Sequence, residues 1–373
     1  MVGIAVAGLC LLEAVLSLAF YIDDRMTWKA PDTRFEADTY NHAPWAFDYY
    51  QEYASIATNW QPYVYWRRAP YRGRFINVNE RGLRATTPAA PEPGAVKIFM
   101  FGGSTMWGTG ARDAFTIPSL VARELRQRGV IADVTNFGES GYVSTQSVLA
   151  LEHELRQGHR PDLVVVYDGI NDTYSAYQQG VAGWPQNEDN RARDFNPSLA
   201  DRVRRVAKDL GVKSQTRRFL LHFTPARNAS SAARPEIARP AADDRLAQEV
   251  IRIFSINMEM IRTLGRQYGF DSVLYWQPTI LDKPHLTAYE QAYRTEMKPM
   301  EPFFARTYDI IRRGSFEKTH GLHDLSPVFA TTEAPVFLDS FHLGETGNEL
   351  IAKAMLPDIL RTITARAGQA VKN

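Results

Sequence analysis

Apolar positions along this chain fall into short unbroken runs separated by longer periodic stretches. Val96-Lys97-Ile98-Phe99-Met100-Phe101 is an apolar run that stops at Gly102-Gly103, the pattern of a buried strand meeting a tight turn. Helical spacing over 117–128 follows, then a second strand over 132–137 ending at Gly138, then a second helix over about 144–157. Leu163-Val164-Val165-Val166-Tyr167 is a third strand, apolar on both faces, and it stops at Asp168-Gly169. After a long polar gap the pattern resumes with a helix over 244–268, a strand over 272–276 and a last helix over about 345–365. Strands alternating with helices through short turns predict an α/β domain whose parallel sheet is covered on both faces.

Two regions lie outside this alternation. Residues 24–94 form an aromatic-rich extension, with Trp45, Phe47, Tyr49, Tyr50, Tyr53, Trp60, Tyr63, Tyr65, Trp66 and Tyr71, closed by a Pro-rich stretch over 86–94. Its expected role is an apolar flap packed on the main domain; the sharper alternative is that some rings line a sugar or acyl site. Within it, residues 75–84 read as a short strand and turn. The gap, about 178–242, is rich in Arg and Ala and carries Pro197, Pro225, Pro235 and Pro240. It reads as a surface insertion in the 95–373 domain, or as a lid over the site.

The first 23 residues read as an anchor or signal segment. Val2 to Ile22 is a run of 21 residues with Glu13 as its one formal charge. At 1.5 Å per residue it reaches about 30 Å, the thickness of a hydrocarbon core. Ser17-Leu18-Ala19 offers a cleavage-like spacing, but no Lys or Arg precedes the run, so a transmembrane helix is favoured over a cleaved signal peptide. The expectation is a membrane anchor through residues 2–22 with the rest outside the cytoplasm.

Composition narrows the functions. Lys plus Arg number 43 against 42 Asp plus Glu, a balance unlike the basic excess of a nucleic-acid binder. The single cysteine, Cys10, excludes an intrachain disulfide framework. His320 and His323 beside Asp324 suggest a metal only weakly, and loop histidines are the expected reading. No cofactor is implied.

Ligands of an open parallel sheet gather where strands end, so the chemistry is sought there. The first turn lacks the lysine of a phosphate-binding loop and the third glycine of a dinucleotide fingerprint. No serine stands in Gly-x-Ser-x-Gly. His153-Glu154 lacks the second histidine of a zinc-protease helix, since position 157 is Gln. What remains is Ser104 after the first strand, with His342 able to take its proton and Asp339, three residues earlier, able to orient the imidazole. The amides of Ser104 and Gly141 and the side chain of Asn171 could supply an oxyanion hole. Gln277, at the end of the fourth strand, borders the same region.

Those four blocks resemble the SGNH hydrolase superfamily, the GDSL-type esterases and lipases, in order and spacing. Ser104, Gly141, Asn171 and His342 stand at the four name-giving positions, Asp339 matches the acid of Asp-x-x-His, and Gly169-x-Asn171-Asp172 matches the third block. The departure is Gly103 where an Asp usually precedes the serine. The resemblance covers about residues 96–365. It implies a three-layer, flavodoxin-like α/β/α fold and metal-free ester hydrolysis through an acyl-enzyme. A carboxylic ester hydrolase removing acetyl groups from an extracytoplasmic polysaccharide is the leading expectation. A lipid or lysophospholipid esterase, an O-acyltransferase and a catalytically silent glycan-binding scaffold are the alternatives.

Overall fold

The computed structural model describes residues 32–40, 43–89, 92–197, 244–314 and 321–370, together with 15, 17 and 18. The expected membrane segment and residues 198–242 of the insertion therefore lie outside the described residues, apart from Val15, Ser17 and Leu18. Among the described residues no helix is long and apolar enough to cross a membrane. The described residues of 32–188 and 244–370 form one compact unit, larger than the one to which 189–197 belong.

In the larger unit the extension comes first. Helix α1 (Ala46–Ser55) is followed by two antiparallel ribbons, β1 (Thr58–Gln61) with β2 (Tyr65–Arg68) and β3 (Tyr71–Arg72) with β4 (Asn77–Val78). Such ribbons are marginal alone. Here Tyr40, Tyr49, Tyr50 and Ile76 pack in one buried cluster with Trp107 and Leu338 of the following domain. The extension packs directly on the segments that follow the first strand of the main sheet and precede His342.

The main sheet holds β5 (Val96–Gly102), β6 (Ala132–Asn136), β7 (Leu163–Asp168), β8 (Asp271–Trp276) and β9 (Leu322–Asp324), all parallel, in the order β6-β5-β7-β8-β9. Strand β7 is buried at every residue because it sits mid-sheet under helices on both faces, which is why it reads as an unbroken apolar run. Helices α2 (Ser104–Trp107), α3 (Ile117–Gln127), α4 (Ser144–Arg156), α5 (Ile170–Gln179), α6 (Glu188–Phe195), α7 (Asp244–Tyr268), α8 (Ala288–Glu296), α9 (Glu301–Arg313) and α10 (Glu345–Ala370) are the other α-helices, alongside short 3-10 turns. Helices α3 and α10 pack together on one face, whereas α4 and α9 pack with α7 on the other. Parallel crossovers keep one hand, so the chain changes face where it reverses direction across the sheet. That reversal falls between β5 and β7, and it opens a crevice at their carboxyl ends.

The predicted strands and helices agree with these bounds to within a few residues, except that α10 runs on to Ala370. Strands β1, β2, β3 and β9 and helices α1, α5, α6, α8 and α9 were not read from the sequence. His323 lies in β9, its Nδ1 is 3.3 Å from Asp358, and its ring faces Tyr275. His320 is outside the described residues, and no cluster of three or more metal-binding side chains occurs among those described.

Helix α8 carries a buried ion pair that fixes the last loop. Lys283 Nζ is 2.6 Å from Glu290 Oε2, both side chains wholly inaccessible. Glu290 Oε1 meanwhile accepts the amides of Val336 and Phe337 at 2.9 and 3.0 Å. Removing one member of such a pair leaves a buried charge uncompensated, so Lys283→Met should destabilise the fold by about 3–5 kcal/mol. Urea unfolding checks this; a loss below about 1 kcal/mol would show the pair to be dispensable.

Candidate functional site

Ser104 opens the one-turn helix α2 immediately beyond β5. His342 and Asp339 share a tight loop between Val336 and Gly344. That loop is closed by a bridge between Phe337 and Leu343 and by the Leu338 amide donating to the His342 carbonyl at 2.8 Å. The imidazole joins the two segments: Nε2 is 2.8 Å from Ser104 Oγ, and Nδ1 is 2.7 Å from Asp339 Oδ2. With Nδ1 carrying the proton toward the carboxylate, Nε2 is left as the acceptor that faces the serine hydroxyl.

Asp339 is secured on both oxygens. Oδ1 accepts the amides of Phe341 and His342 at 2.9 and 2.8 Å. Oδ2 faces His342 and also Arg34 Nη1 at 3.2 Å. Burial opposes its charge, but the imidazole and the Arg34 guanidinium overcome this and hold the carboxyl well below the usual carboxylate range.

The three expected oxyanion donors also converge. Ser104 and Gly141 line the same pocket as Asn171, and neither of their amides meets an acceptor among the described residues. Gly141 has φ +74°, a conformation costly for other residues, so its identity follows from the turn rather than from crowding. Asn171 Nδ2 donates one hydrogen to the Tyr142 carbonyl at 2.7 Å and keeps a second. Gln186 steadies its Oδ1 at 3.3 Å. Position 103 explains the departure from Gly-Asp-Ser: a Cβ there would lie 2.3 Å from Asn171 Nδ2.

Beneath this layer sit two buried carboxyls, Asp168 and Asp172. Burial, reinforced by the neighbouring Asp172, pushes Asp168 well above the carboxylate range, and it accepts from Ser147 Oγ at 2.7 Å. Asp172 is pushed up to about 6, chiefly by burial, against the opposing hydrogen bonds from Ser144. It holds the Ser144 amide and hydroxyl at the start of α4, just past Gly141.

Glu139, a charge the sequence left unexplained, ties the extension to this loop. Its wholly buried carboxylate accepts the Arg68 amide at 2.8 Å and the Ser140 amide at 2.7 Å, while Arg68 Nε lies 3.7 Å away. Burial raises its pKa, and Arg67 and the two amides oppose that shift.

The pocket over Ser104, about 310 Å³, is walled by Tyr53, Ile170, Tyr174 and Phe341 and by the polar Gln186 and Gln277. Gln277 thus borders the site as expected, with Nε2 2.5 Å from Thr105 Oγ1. Arg34, Tyr174 and Gln186 were missed, whereas Tyr53 is one of the extension's rings for which a site-lining role was the alternative reading. Tyr174 belonged to no motif, and Arg34 is separated from Asp339 by 305 positions, beyond any local signal.

A serine hydrogen-bonded to a histidine–aspartate pair, at the switch point of a doubly wound sheet, is the equipment of a serine hydrolase. The family profile described as GDSL-like Lipase/Acylhydrolase matches residues 98–355. The chain belongs to that family, within the SGNH hydrolase superfamily, and is a carboxylic ester hydrolase. Among solved structures it is similar to an acetyl xylan esterase, AlAXEase, at 13% identity over 71% of this chain and 100% of that one, TM-score 0.39. It is also similar to a lipase/acylhydrolase from Enterococcus faecalis at 16% identity over 71% and 95%, TM-score 0.36. The acetylxylan esterase Axe2 from Geobacillus stearothermophilus matches at 14% over 72% and 96%, TM-score 0.36. No curated protein matches this chain.

Two outcomes follow from this geometry. Gly103→Ala has a permitted backbone, with φ −80°, but must push the Asn171 amide aside. It should lower kcat about 10-fold or more while the melting temperature stays within a few degrees; unchanged kcat would show that Asn171 need not sit where it does. The second outcome concerns Asp172, whose native pKa is raised above its unfolded value of 3.8. The folded state therefore binds more protons between 3.8 and about 6. Its contribution is fully present below the unfolded value and is lost as pH rises through the native one. The stability difference between wild type and Asp172→Asn should accordingly move by on the order of 1–3 kcal/mol, against wild type, from pH 4 to 7. Unfolding curves across that range would show a flat difference if the group were not burial-shifted.

Proposed function

We propose that the protein is a serine esterase that removes short acyl groups, acetyl first, from a glycan outside the cytoplasm, working through an acyl-enzyme. The observation that carries the reading is the His342 imidazole lying within hydrogen-bond reach of both Ser104 Oγ and Asp339 Oδ2. Ser104 Oγ attacks the ester carbonyl carbon as His342 Nε2 takes its proton, and Asp339 stabilises the resulting imidazolium. The oxyanion of the tetrahedral intermediate is received by the amides of Ser104 and Gly141 and by the free hydrogen of Asn171. Collapse breaks the ester bond, His342 returns the proton to the leaving alcohol, and water repeats the sequence on the acyl-serine. The preference for a short acyl group is supported by the pocket's 310 Å³, at the low end of the ~300–1,000 Å³ usual for ligand sites. Anchoring through residues 2–22 remains part of the proposal, on the length and apolarity of that run.

The test is turnover of p-nitrophenyl esters of increasing chain length by the full chain, beside Ser104→Ala. Activity is expected to peak at acetate and to fall by about 10³-fold or more in the variant. A peak at long chains would replace the glycan reading with a lipid one. Full activity in Ser104→Ala would remove the triad assignment altogether.

A further inference from the structure

Arg34 belongs to the extension, outside the span matched by the family, yet it reaches the centre of the site. Its Nη1 is 3.2 Å from Asp339 Oδ2 and 3.4 Å from His342 Nδ1. The proton on Nδ1 belongs to the bond with Asp339, so Arg34 is a donor to the carboxylate and only a close positive neighbour of the ring.

The guanidinium is itself held from three sides. Asp32 takes Nε at 2.9 Å and Nη2 at 2.5 Å, a fork that leaves the Nη1 edge pointing at Asp339. Asp32 Oδ1 also accepts the Arg34 amide at 3.2 Å, fixing the turn that carries the side chain. The rings of Tyr50 and Tyr53 lie 5.4 and 5.7 Å from the guanidinium carbon, within cation–π range. Only 16% of the side chain is exposed. Although Arg34 borders the pocket, Nε, Nη2 and Nη1 are already committed to the two aspartates, which leaves little for a substrate anion.

We infer that Arg34 is a positioning residue of the triad. By donating to Oδ2 it fixes the plane of the Asp339 carboxylate, so that this oxygen stays aimed at His342 Nδ1. The charges favour this arrangement. Asp32 and Asp339 together carry two negative charges against one on Arg34, so the cluster keeps a net negative charge to stabilise the imidazolium. A lone arginine beside Asp339 would instead cancel that charge. Asp32 is therefore as much a part of the device as Arg34, and the extension completes the active site rather than merely covering it.

The inference rests on the triad reading above, so the experiment keeps the two apart. Arg34→Met, Arg34→Lys, Asp32→Asn and Ser104→Ala are compared in the full chain with p-nitrophenyl acetate, reading kcat and KM separately, with melting temperature alongside. Arg34→Met should lower kcat about 10- to 100-fold with KM changed less than about threefold. Arg34→Lys, which retains one donor for Oδ2, should recover most of that loss. Asp32→Asn should show a milder loss confined to kcat, which keeps the test open if Arg34→Met fails to fold. Three results would overturn the inference: unchanged kcat in Arg34→Met, a rise in KM with kcat preserved, or a lysine variant no better than methionine. Undiminished turnover in Ser104→Ala would instead strike the triad reading itself.

Discussion

The carboxylate of Asp339 is the constraint on which the site depends. It receives four donors: two amides of its own loop, the ring of His342, and Arg34. A carboxylate so bound stays ionised in spite of burial, and it has no freedom to turn away from the imidazole. The surrounding structure serves that arrangement. The Phe337–Leu343 bridge narrows the loop, Glu290 pins its start, and Tyr289 donates to the Leu338 carbonyl at 2.8 Å. Each contact restricts an imidazole that must meet a serine from a distant strand.

The opposite wall is built on other physics. There the sheet reverses direction, strand ends diverge, and backbone donors are left facing a crevice. Asp168 and Asp172 lie beneath them, and burial raises the pKa of both. They anchor the turns through hydrogen bonds with Ser147 and Ser144. The glycine at 103 belongs to this wall, since it leaves room for the Asn171 amide to come close.

How much of this was legible in the sequence depended on the range of the interaction. Strands β5, β7 and β8 were readable because mid-sheet burial favours runs of apolar residues, and the edge strand β6 because its buried positions alternate with half-buried ones before a glycine turn. The four site blocks were readable because each is a short segment at a strand end or on the final loop. Strand β9 was not, since Leu322-His323-Asp324 is three residues long with two polar members at a sheet edge. Helix α8 is short and polar and makes its fold-level contribution through a buried ion pair that periodicity does not register. Glu139 and Arg34 were opaque for a stronger reason: both act on partners 71 or more positions away, where no spacing rule applies.

The shared aromatic cluster joins segments on either side of the main sheet in the sequence. Tyr40, Tyr49 and Tyr50 are made before any strand of the main sheet, and Leu338, which packs with them, after all five. A ribosome delivers residues in order, at roughly 5–20 per second. Trp107 can cover part of the extension's aromatic face soon after it is made, but the Leu338 side must wait until the whole sheet has been made. Its burial and the docking of the Asp339 loop are then completed together, so a nascent or prematurely terminated chain displays sticky aromatic surface and lacks the acid and base of its site.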